Sequence, residues 1–300
     1  MLFYPLNKKQ MVTYNPKDWF KLIVHFHKSD TFRILFPTML VLGLITGGVC
    51  FVEKKYLNIE VPSLTIFHQI LGFIISMVLV FRINTAYDRW WEGRKLWGSL
   101  LNNSRNLSIK LNAFIPENDF HSRKEIYLLI SNYALVLKNH LRNTRSFKLI
   151  KFSTTLKKQA FLNAEHKPNY IAKHLTIFII NACKNNNNTQ NDYLIVSDNI
   201  NQFTEICGAC ERIKHTPIPY SYSIFIKKII FLYIITMPIT FGLTIGYWAI
   251  PIVMIMFYAF ASLELISEEI EDPFGTDSND LPLDEIAEKI KINTKEILLP

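Results

Sequence analysis

The acidic segment near the C-terminus contains the side chains best suited to hold a metal ion. Asp272, Asp277 and Asp280 flank the sequence Pro273-Phe-Gly275. Ca²⁺ takes about six to eight hard oxygen ligands, and these carboxylates could supply some of them. The same acids also suit a turn that leads into a helix predicted at 283–292. The sequence therefore leaves a cation site and a structural turn open as alternatives.

A second group of candidate ligands lies upstream. Cys207-x-x-Cys210 is followed by His215, as at the start of a zinc or redox motif. A structural zinc site needs a full set of ligands at suitable spacing, and the other candidates, Cys183 and His174, are distant in sequence. We therefore expect buried thiols and no cofactor. The sequence also lacks a phosphate-binding glycine loop, a nucleophile elbow and a paired-histidine metal motif, so we do not expect an enzyme.

Long apolar windows dominate the rest of the chain. It has 300 residues, of which 49% are hydrophobic and 19% charged. Charged residues make up about 25% of an ordinary soluble domain, and a helix needs about 20 apolar residues to cross a bilayer. Three windows contain no Asp, Glu, Lys or Arg: Ile34–Val52, Val61–Phe81 and Ile229–Leu263. The sequence therefore predicts an integral membrane protein.

The third window is too long for a single crossing. Its 35 residues would extend roughly 50 Å as a helix, against a hydrocarbon core of about 30 Å. Gly242, Gly246 and Pro251 offer a turn in its middle. We therefore expect spans at about 223–244 and 248–266, which would make four transmembrane helices in all.

Basic residues collect outside the apolar windows. Residues 1–33 carry six Lys and Arg, and residues 82–228 carry 22 of them against 10 Asp and Glu. By the positive-inside rule, both termini and the long insert are expected in the cytoplasm. Residues 264–300 have a net charge of −8 against +12 for residues 82–228, so we expect these two segments to pack together.

The insert has a helical pattern throughout. The second span is expected to continue as a helix to Pro116, and further helices are predicted at about 121–145, 152–163, 169–183 and 190–213. No strand pattern appears, so the predicted fold class is an all-α integral membrane protein. Its expected segments are a cytoplasmic N-terminal segment (1–33), transmembrane helices 1 and 2 (34–82), a helical cytoplasmic region (83–220), transmembrane helices 3 and 4 (221–266) and an acidic cytoplasmic C-terminal segment (267–300).

Three motifs carry a resemblance to a known family. Arg82-Ile-Asn-Thr-Ala-Tyr-Asp-Arg-Trp-Trp-Glu-Gly-Arg-Lys-Leu-Trp-Gly98 resembles the segment that follows the second span in bacterial members of the bestrophin family. Gly208-Ala-Cys-Glu-Arg-Ile213 with Thr216-Pro-Ile-Pro-Tyr220 is similar to the family's approach to the third span. Glu268-Glu-Ile-Glu-Asp-Pro-Phe-Gly275 with Asn279-Asp-Leu-Pro-Leu283 is similar to its acidic segment after the fourth.

The resemblance implies a homopentameric ion channel in the inner membrane of a bacterium. Small inorganic ions would pass between the second-span helices of five subunits, with membrane lipids as further partners and no nucleic acid. Animal members are calcium-activated anion channels, but for a bacterial member both chloride and monovalent cations stay open as the permeant ion. A membrane-anchored scaffold or signalling protein, with partners bound by the cytoplasmic helices, is the alternative.

The second span carries the candidate pore neck. Ile66, Ile70 and Ile74 are spaced i, i+4, i+8 and form one stripe along a helix. From spacing alone, such a stripe ordinarily contacts lipid or a neighbouring helix. The resemblance places it at the family's hydrophobic constriction, where rings of branched aliphatic side chains gate by excluding water. A different register would put Phe73 at the neck.

Two further sites follow from the resemblance. A cytoplasmic aperture is implied at Ile195, with Leu194 as the second choice, and packing in a core is an equal alternative for both. Asp272, Asp277 and Asp280 match the animal calcium clasp only in part, because neutral residues interrupt the acidic run. We therefore expect ionic currents that do not respond to micromolar calcium.

Polar residues in and after the second span have structural or functional interpretations. His68 is expected either to face the pore or to hydrogen-bond between helices. Glu92 lies three residues from both Arg89 and Lys95, which predicts a salt-bridged helix surface within an aromatic and basic cluster. Such a cluster would pack between subunits or against lipid.

Overall fold

The computed structural model describes residues 30–56, 62–185 and 189–299. Most of these residues are helical and none of them forms a strand, which confirms the all-α prediction. The predicted N-terminal segment up to residue 29, part of the first connecting loop and the tip of the polar loop at 186–188 lie outside them. The helices are α1 (Asp30–Tyr56), α2 (Pro62–Phe114), α3 (Phe120–Leu141), α4 (Lys158–Asn163), α5 (Lys167–Asn185), α6 (Thr189–His215), α7 (Tyr220–Ile245), α8 (Ala249–Glu271) and α9 (Leu283–Leu298).

The chain divides into two compact units. The span unit comprises residues 30–89 and 217–271, and the insert unit comprises residues 90–216 and 272–299. The 53-residue helix α2 contributes to both units, so the predicted continuation of the second span as one long helix is confirmed.

The span unit holds the apolar helices. Three helical stretches are long and apolar enough to cross a membrane: Thr31–Tyr56, Thr65–Phe114 and Tyr220–Glu271. The third stretch breaks at Gly246, whose φ of +61° lies in a region that side chains disfavour, and a short 3₁₀ turn joins α7 to α8. The predicted break is thus present.

Helices α7 and α8 run antiparallel. Lys227 near the start of α7 forms an ion pair with Glu268 near the end of α8. Further along, the rings of Tyr233 and Phe260 lie 5.6 Å apart. This helical hairpin packs against α1, and its apolar side chains bury Ile75 and Leu79 of α2.

Helix α3 forms the centre of the insert unit, and most of its residues are buried. Its Tyr133 hydroxyl donates a hydrogen bond to the Phe203 carbonyl of α6 at 2.5 Å. Helix α9 packs on α3 through an apolar face made of Leu283, Ile286, Ala287 and Ile290.

Two helix predictions in the insert unit need correction. The helix predicted at 152–163 is reduced to α4, because Ser153 accepts a hydrogen bond from the Leu156 amide and donates one to Glu125. This closed turn replaces helical bonds over the first half of the predicted segment. The helix predicted at 283–292 instead extends to Leu298.

The predicted pairing of acidic tail and basic insert is present within the insert unit. Asp284 of α9 lies 2.6 Å from Lys138 Nζ and 2.6 Å from Arg142 Nη1. Burial alone would raise the pKa of Asp284, but the hydrogen bonds from Lys138 and Arg142 outweigh it and hold the pKa below its usual range. The carboxylate therefore stays ionised and joins α9 to α3.

We predict that Asp284→Asn destabilises the insert unit. The Lys138 side chain is only 8% exposed and would lose its carboxylate partner, so the loss should reach about 1–2 kcal/mol, above the roughly 0.2–1 kcal/mol of an exposed pair. The midpoint of thermal unfolding in mild detergent should fall by a few degrees, whereas the exposed neighbour Glu285→Gln should leave it unchanged.

The effect of Asp284→Asn should depend on pH. A carboxylate with a lowered pKa stabilises the fold above its ordinary pKa of 3.8, and this contribution is lost as the pH falls through the lower folded-state value. Wild type and variant should therefore converge in strongly acidic buffer. A constant difference across the acidic range would contradict the assignment.

Candidate functional site

Helix α2 has two contrasting faces in the span unit. Its inner face is at most 2% exposed and consists of His68, Ile75, Leu79 and Arg82. The Ile stripe (Ile66, Ile70 and Ile74) is 59%, 57% and 45% exposed. At about 100° per residue, the stripe is centred about 150° away from the inner face. It therefore points away from the chain's own helices.

Phe73 shares this outer face and is 72% exposed. Met77 and Phe81 continue it toward the end of the apolar window, at 52% and 56% exposed. A row of uncovered apolar side chains inside a predicted span needs lipid or another subunit as its partner. The exposed fractions alone leave the Ile stripe and the Phe73 register both open as the neck.

His68 is held in the interior of the span unit. Its Nε2 lies 3.0 Å from the Thr236 hydroxyl, its Nδ1 lies 3.1 Å from the Thr240 hydroxyl, and its ring lies 5.2 Å from that of Tyr233. The Thr236 hydroxyl also lies 2.8 Å from the Leu232 carbonyl of its own helix. Of the two sequence interpretations, the structure shows the hydrogen bonds between helices.

Arg82 forms a buried charge cluster at the end of the apolar part of α2. Its Nη2 lies 2.7 Å from Glu271, and its Nε lies 3.6 Å from Glu264. Glu271 also accepts a hydrogen bond from the Ile218 amide at 2.7 Å, and its carbonyl accepts one from Arg89 Nε at 3.1 Å. The cluster thus ties α2 to the end of α8 and to the segment that enters α7.

The predicted salt-bridged surface of α2 is wrong in its pairings. Glu92 does not pair with the residues three positions away but with Arg212 of α6, at 2.8 Å. Sequence reasoning also missed the Arg82 cluster. The available signal was that Arg82 directly follows one uncharged window and Glu264 directly follows another. Charges at the ends of apolar windows must pair with each other or reach water.

The candidate aperture residues lie on the surface of the insert unit. Leu194 and Ile195 of α6 are 64% and 48% exposed, so they are not part of its core. Lys110 Nζ donates hydrogen bonds to the Ile195 carbonyl at 2.9 Å and to Asn199 Oδ1 at 2.7 Å. The backbone at this position is therefore held by a cation, while the apolar side chains stay uncovered.

The cysteine motif contains buried thiols. Burial raises the pKa of Cys207 to about 12, with a further contribution from the charge of Glu211, and burial likewise raises the pKa of Cys210. Both groups therefore stay protonated at neutral pH, and a thiol in that state is a poor zinc ligand. His215 is exposed at the end of α6, and the side chain of Cys183 lies outside the described residues.

The acidic segment folds as a closed turn. Asp280 is 3% exposed, and its Oδ2 accepts a hydrogen bond from the Asp277 amide at 2.6 Å. The Leu281 amide donates to the Pro273 carbonyl at 2.9 Å, and Asp272 lies 3.4 Å from Lys214. The N-cap of α9 is Pro282, without a side-chain cap bond, so the acids stabilise the turn and do not cap the helix.

Comparison of this sequence with known proteins shows which protein family it resembles. The model of the bacterial/fungal bestrophin family matches residues 10–296. A voltage-dependent anion channel-forming protein of a Nostoc species is 31% identical over 298 residues, covering 95% of this chain and 94% of the relative. The voltage-dependent anion channel-forming protein YneE of Escherichia coli K12 is 30% identical over 286 residues, covering 94% and 92%.

A solved structure shares the fold. A bacterial bestrophin homologue from Klebsiella pneumoniae superposes with a TM-score of 0.78 at 24% identity, covering 86% of this chain and 97% of that one.

We predict that, within the closed turn, Asp280 contributes more to the stability of the protein than Asp277. Asp280→Ala should destabilise the protein by about 1–3 kcal/mol, because the Asp277 amide loses a buried acceptor, whereas the exposed Asp277→Ala should have a much smaller effect. Thermal unfolding of both variants measures this, and micromolar Ca²⁺ should not raise the wild-type midpoint. A calcium-dependent rise that both substitutions abolish would instead identify a cation site.

Proposed function

The chain belongs to the bacterial/fungal bestrophin family, and we propose that it is a membrane channel through which small inorganic anions such as chloride pass down their gradient. Two relatives with nearly full-length matches are named as voltage-dependent anion channel-forming proteins. The apolar helices of the span unit supply the membrane-spanning part.

The exposed Ile stripe is the observation that carries the proposal. One copy of α1, α2, α7 and α8 cannot enclose an ion path, so several copies must associate around an axis. We take the assembly to be a homopentamer in which five α2 helices turn their uncovered faces inward. The Ile stripe then forms stacked apolar rings, and a narrow apolar tube of this kind does not hold a continuous column of water.

Charge outside the neck supports anions over monovalent cations. Apolar rings discriminate only weakly between anions and cations. The electrostatic field of the surrounding charged residues must therefore determine which ions pass. Residues 82–228 carry +12 and residues 264–300 carry −8, which leaves a net +4. The predicted orientation puts residues 83–220 and both termini on the cytoplasmic side of the inner membrane. Leu194 and Ile195, beside Lys110, supply a second constriction along the path.

We predict anion-selective current from the purified protein. In planar bilayers under an asymmetric KCl gradient, the reversal potential should lie toward the chloride equilibrium potential, and native mass spectrometry in mild detergent should give five subunits. A reversal potential near the potassium equilibrium potential would reject anion selectivity. An assembled protein without current would favour the scaffold alternative, and a monomer would reject the pore.

We predict that Ile66→Ala, Ile70→Ala and Ile74→Ala combined raise the single-channel conductance several-fold, because a wider neck lowers the barrier to water and ions. A matched control replaces three isoleucines of similar exposure on α7 and α8, Ile235, Ile239 and Ile255, by alanine and should leave the conductance unchanged. Unchanged current from a pentameric Ile-stripe variant would assign the stripe to packing and make Phe73→Ala the decisive variant.

A further inference from the structure

Three potential metal ligands meet inside the insert unit. His140 lies near the end of α3, His166 directly precedes α5, and Glu211 lies on α6. Glu211 Oε1 is 2.6 Å from His140 Nε2 and 2.7 Å from His166 Nε2. Their ligand atoms all lie within 4.8 Å of one another. Both imidazole rings thus point their Nε2 atoms at the same carboxylate oxygen.

We propose that this triad, His140, His166 and Glu211, binds a transition-metal dication of the zinc class, one per subunit. Two imidazole nitrogens and one carboxylate oxygen form a donor set that suits Zn²⁺ and its borderline neighbours. Ca²⁺ and Mg²⁺ prefer shells made of oxygen alone, so they are disfavoured. The three ligands come from distant parts of the sequence, so no local sequence motif predicts the site.

The three ligand atoms must rearrange to admit an ion. Metal–ligand distances of about 2.0–2.2 Å in a tetrahedral site place neighbouring ligand atoms about 3.3 Å apart. The separations of 2.6 and 2.7 Å between the imidazole nitrogens and Glu211 must therefore widen by about 0.6 Å. The ligand atoms now spread over up to 4.8 Å, so the two imidazole nitrogens must also move to the same spacing of about 3.3 Å.

Solvent can reach the triad. The three side chains are 28%, 34% and 26% exposed, and a cavity of about 350 Å³ lined in part by His140, Phe147 and Lys167 opens beside it. Of the three ligands, His140 lines this cavity, so an ion would approach from the His140 side, and water would supply the remaining ligand.

Metal binding must compete with an existing hydrogen bond. His166 Nδ1 accepts from the Asn169 amide at 3.1 Å, so without a metal the ring proton lies on Nε2 and faces Glu211. A metal at Nε2 requires the proton on Nδ1, where it opposes the Asn169 N–H. Binding therefore releases this amide at the start of α5, and the affinity falls below that of a closed structural site.

The test uses the full chain without a histidine tag, purified in detergent and titrated with Zn²⁺ by calorimetry. One equivalent per subunit should bind, and Co²⁺ should give the d–d absorption of a tetrahedral nitrogen–oxygen site. His140→Ala and Glu211→Gln should each weaken the affinity at least about 100-fold, since loss of an outer-shell partner alone costs about 10- to 100-fold. Hydrogen exchange at the Asn169 amide should speed up with Zn²⁺ in the wild type only.

Two matched variants control for other ligands. His121→Ala removes an exposed imidazole from the same helix as His140, and Cys207→Ser removes the thiol one turn before Glu211. Both should retain Zn²⁺ binding. The proposal is wrong if no saturable equivalent binds, if binding survives in folded His140→Ala and Glu211→Gln, or if Cys207→Ser abolishes it. Glu211→Gln preserves side-chain shape, so it decides the outcome if His140→Ala fails to fold.

Discussion

The buried guanidinium of Arg82 is the interaction on which the span unit depends. A charge that is 1% exposed at the edge of an apolar helix is costly unless a carboxylate pairs with it. Glu271 does so at 2.7 Å from Nη2, and Glu264 adds a second negative charge 3.6 Å from Nε. Removing one partner of a buried ion pair typically costs about 3–5 kcal/mol, because the other charge stays buried. The cluster also sets the rotation of α2. Arg82 and His68 lie about 40° apart around the helix, so pairing both polar groups with α7 and α8 forces the Ile stripe outward.

Polar contacts stabilise the insert unit in a different way. Its apolar core would hold α3 against its neighbours in several registers, and ionic contacts select among them. Asp284 meets two cations of α3, and the Asp280 turn fixes where α9 begins. The acids of the C-terminal segment therefore act mainly as structural partners of basic residues.

The sequence predicts the helices and the breaks between them better than it predicts which side chains contact each other. Uncharged windows identify the apolar helices, and Gly246 marks the break between α7 and α8, because both signals are local in sequence. The partners of Arg82 lie more than 180 residues away, and no spacing rule connects them. The predicted partners of Glu92 failed for the same reason: helical spacing offers i+3 pairs, but tertiary packing brought Arg212 closer. The triad of His140, His166 and Glu211 could not be predicted for the same reason, because its members are distant in sequence.

In the proposed channel, the neck and the charged insert have different functions, and these contacts explain the difference. Because His68 and Arg82 of the α2 apolar segment are turned inward, the Ile stripe presents apolar side chains, which can resist wetting but cannot choose the sign of an ion. Residues 82–228 and 264–300 together retain a net charge of +4 after their mutual pairing. In the proposed ring of identical subunits this excess would repeat around the axis and raise the local anion concentration. Our proposal thus assigns gating to the apolar face of α2 and ion selectivity to the charged residues that follow it in the chain.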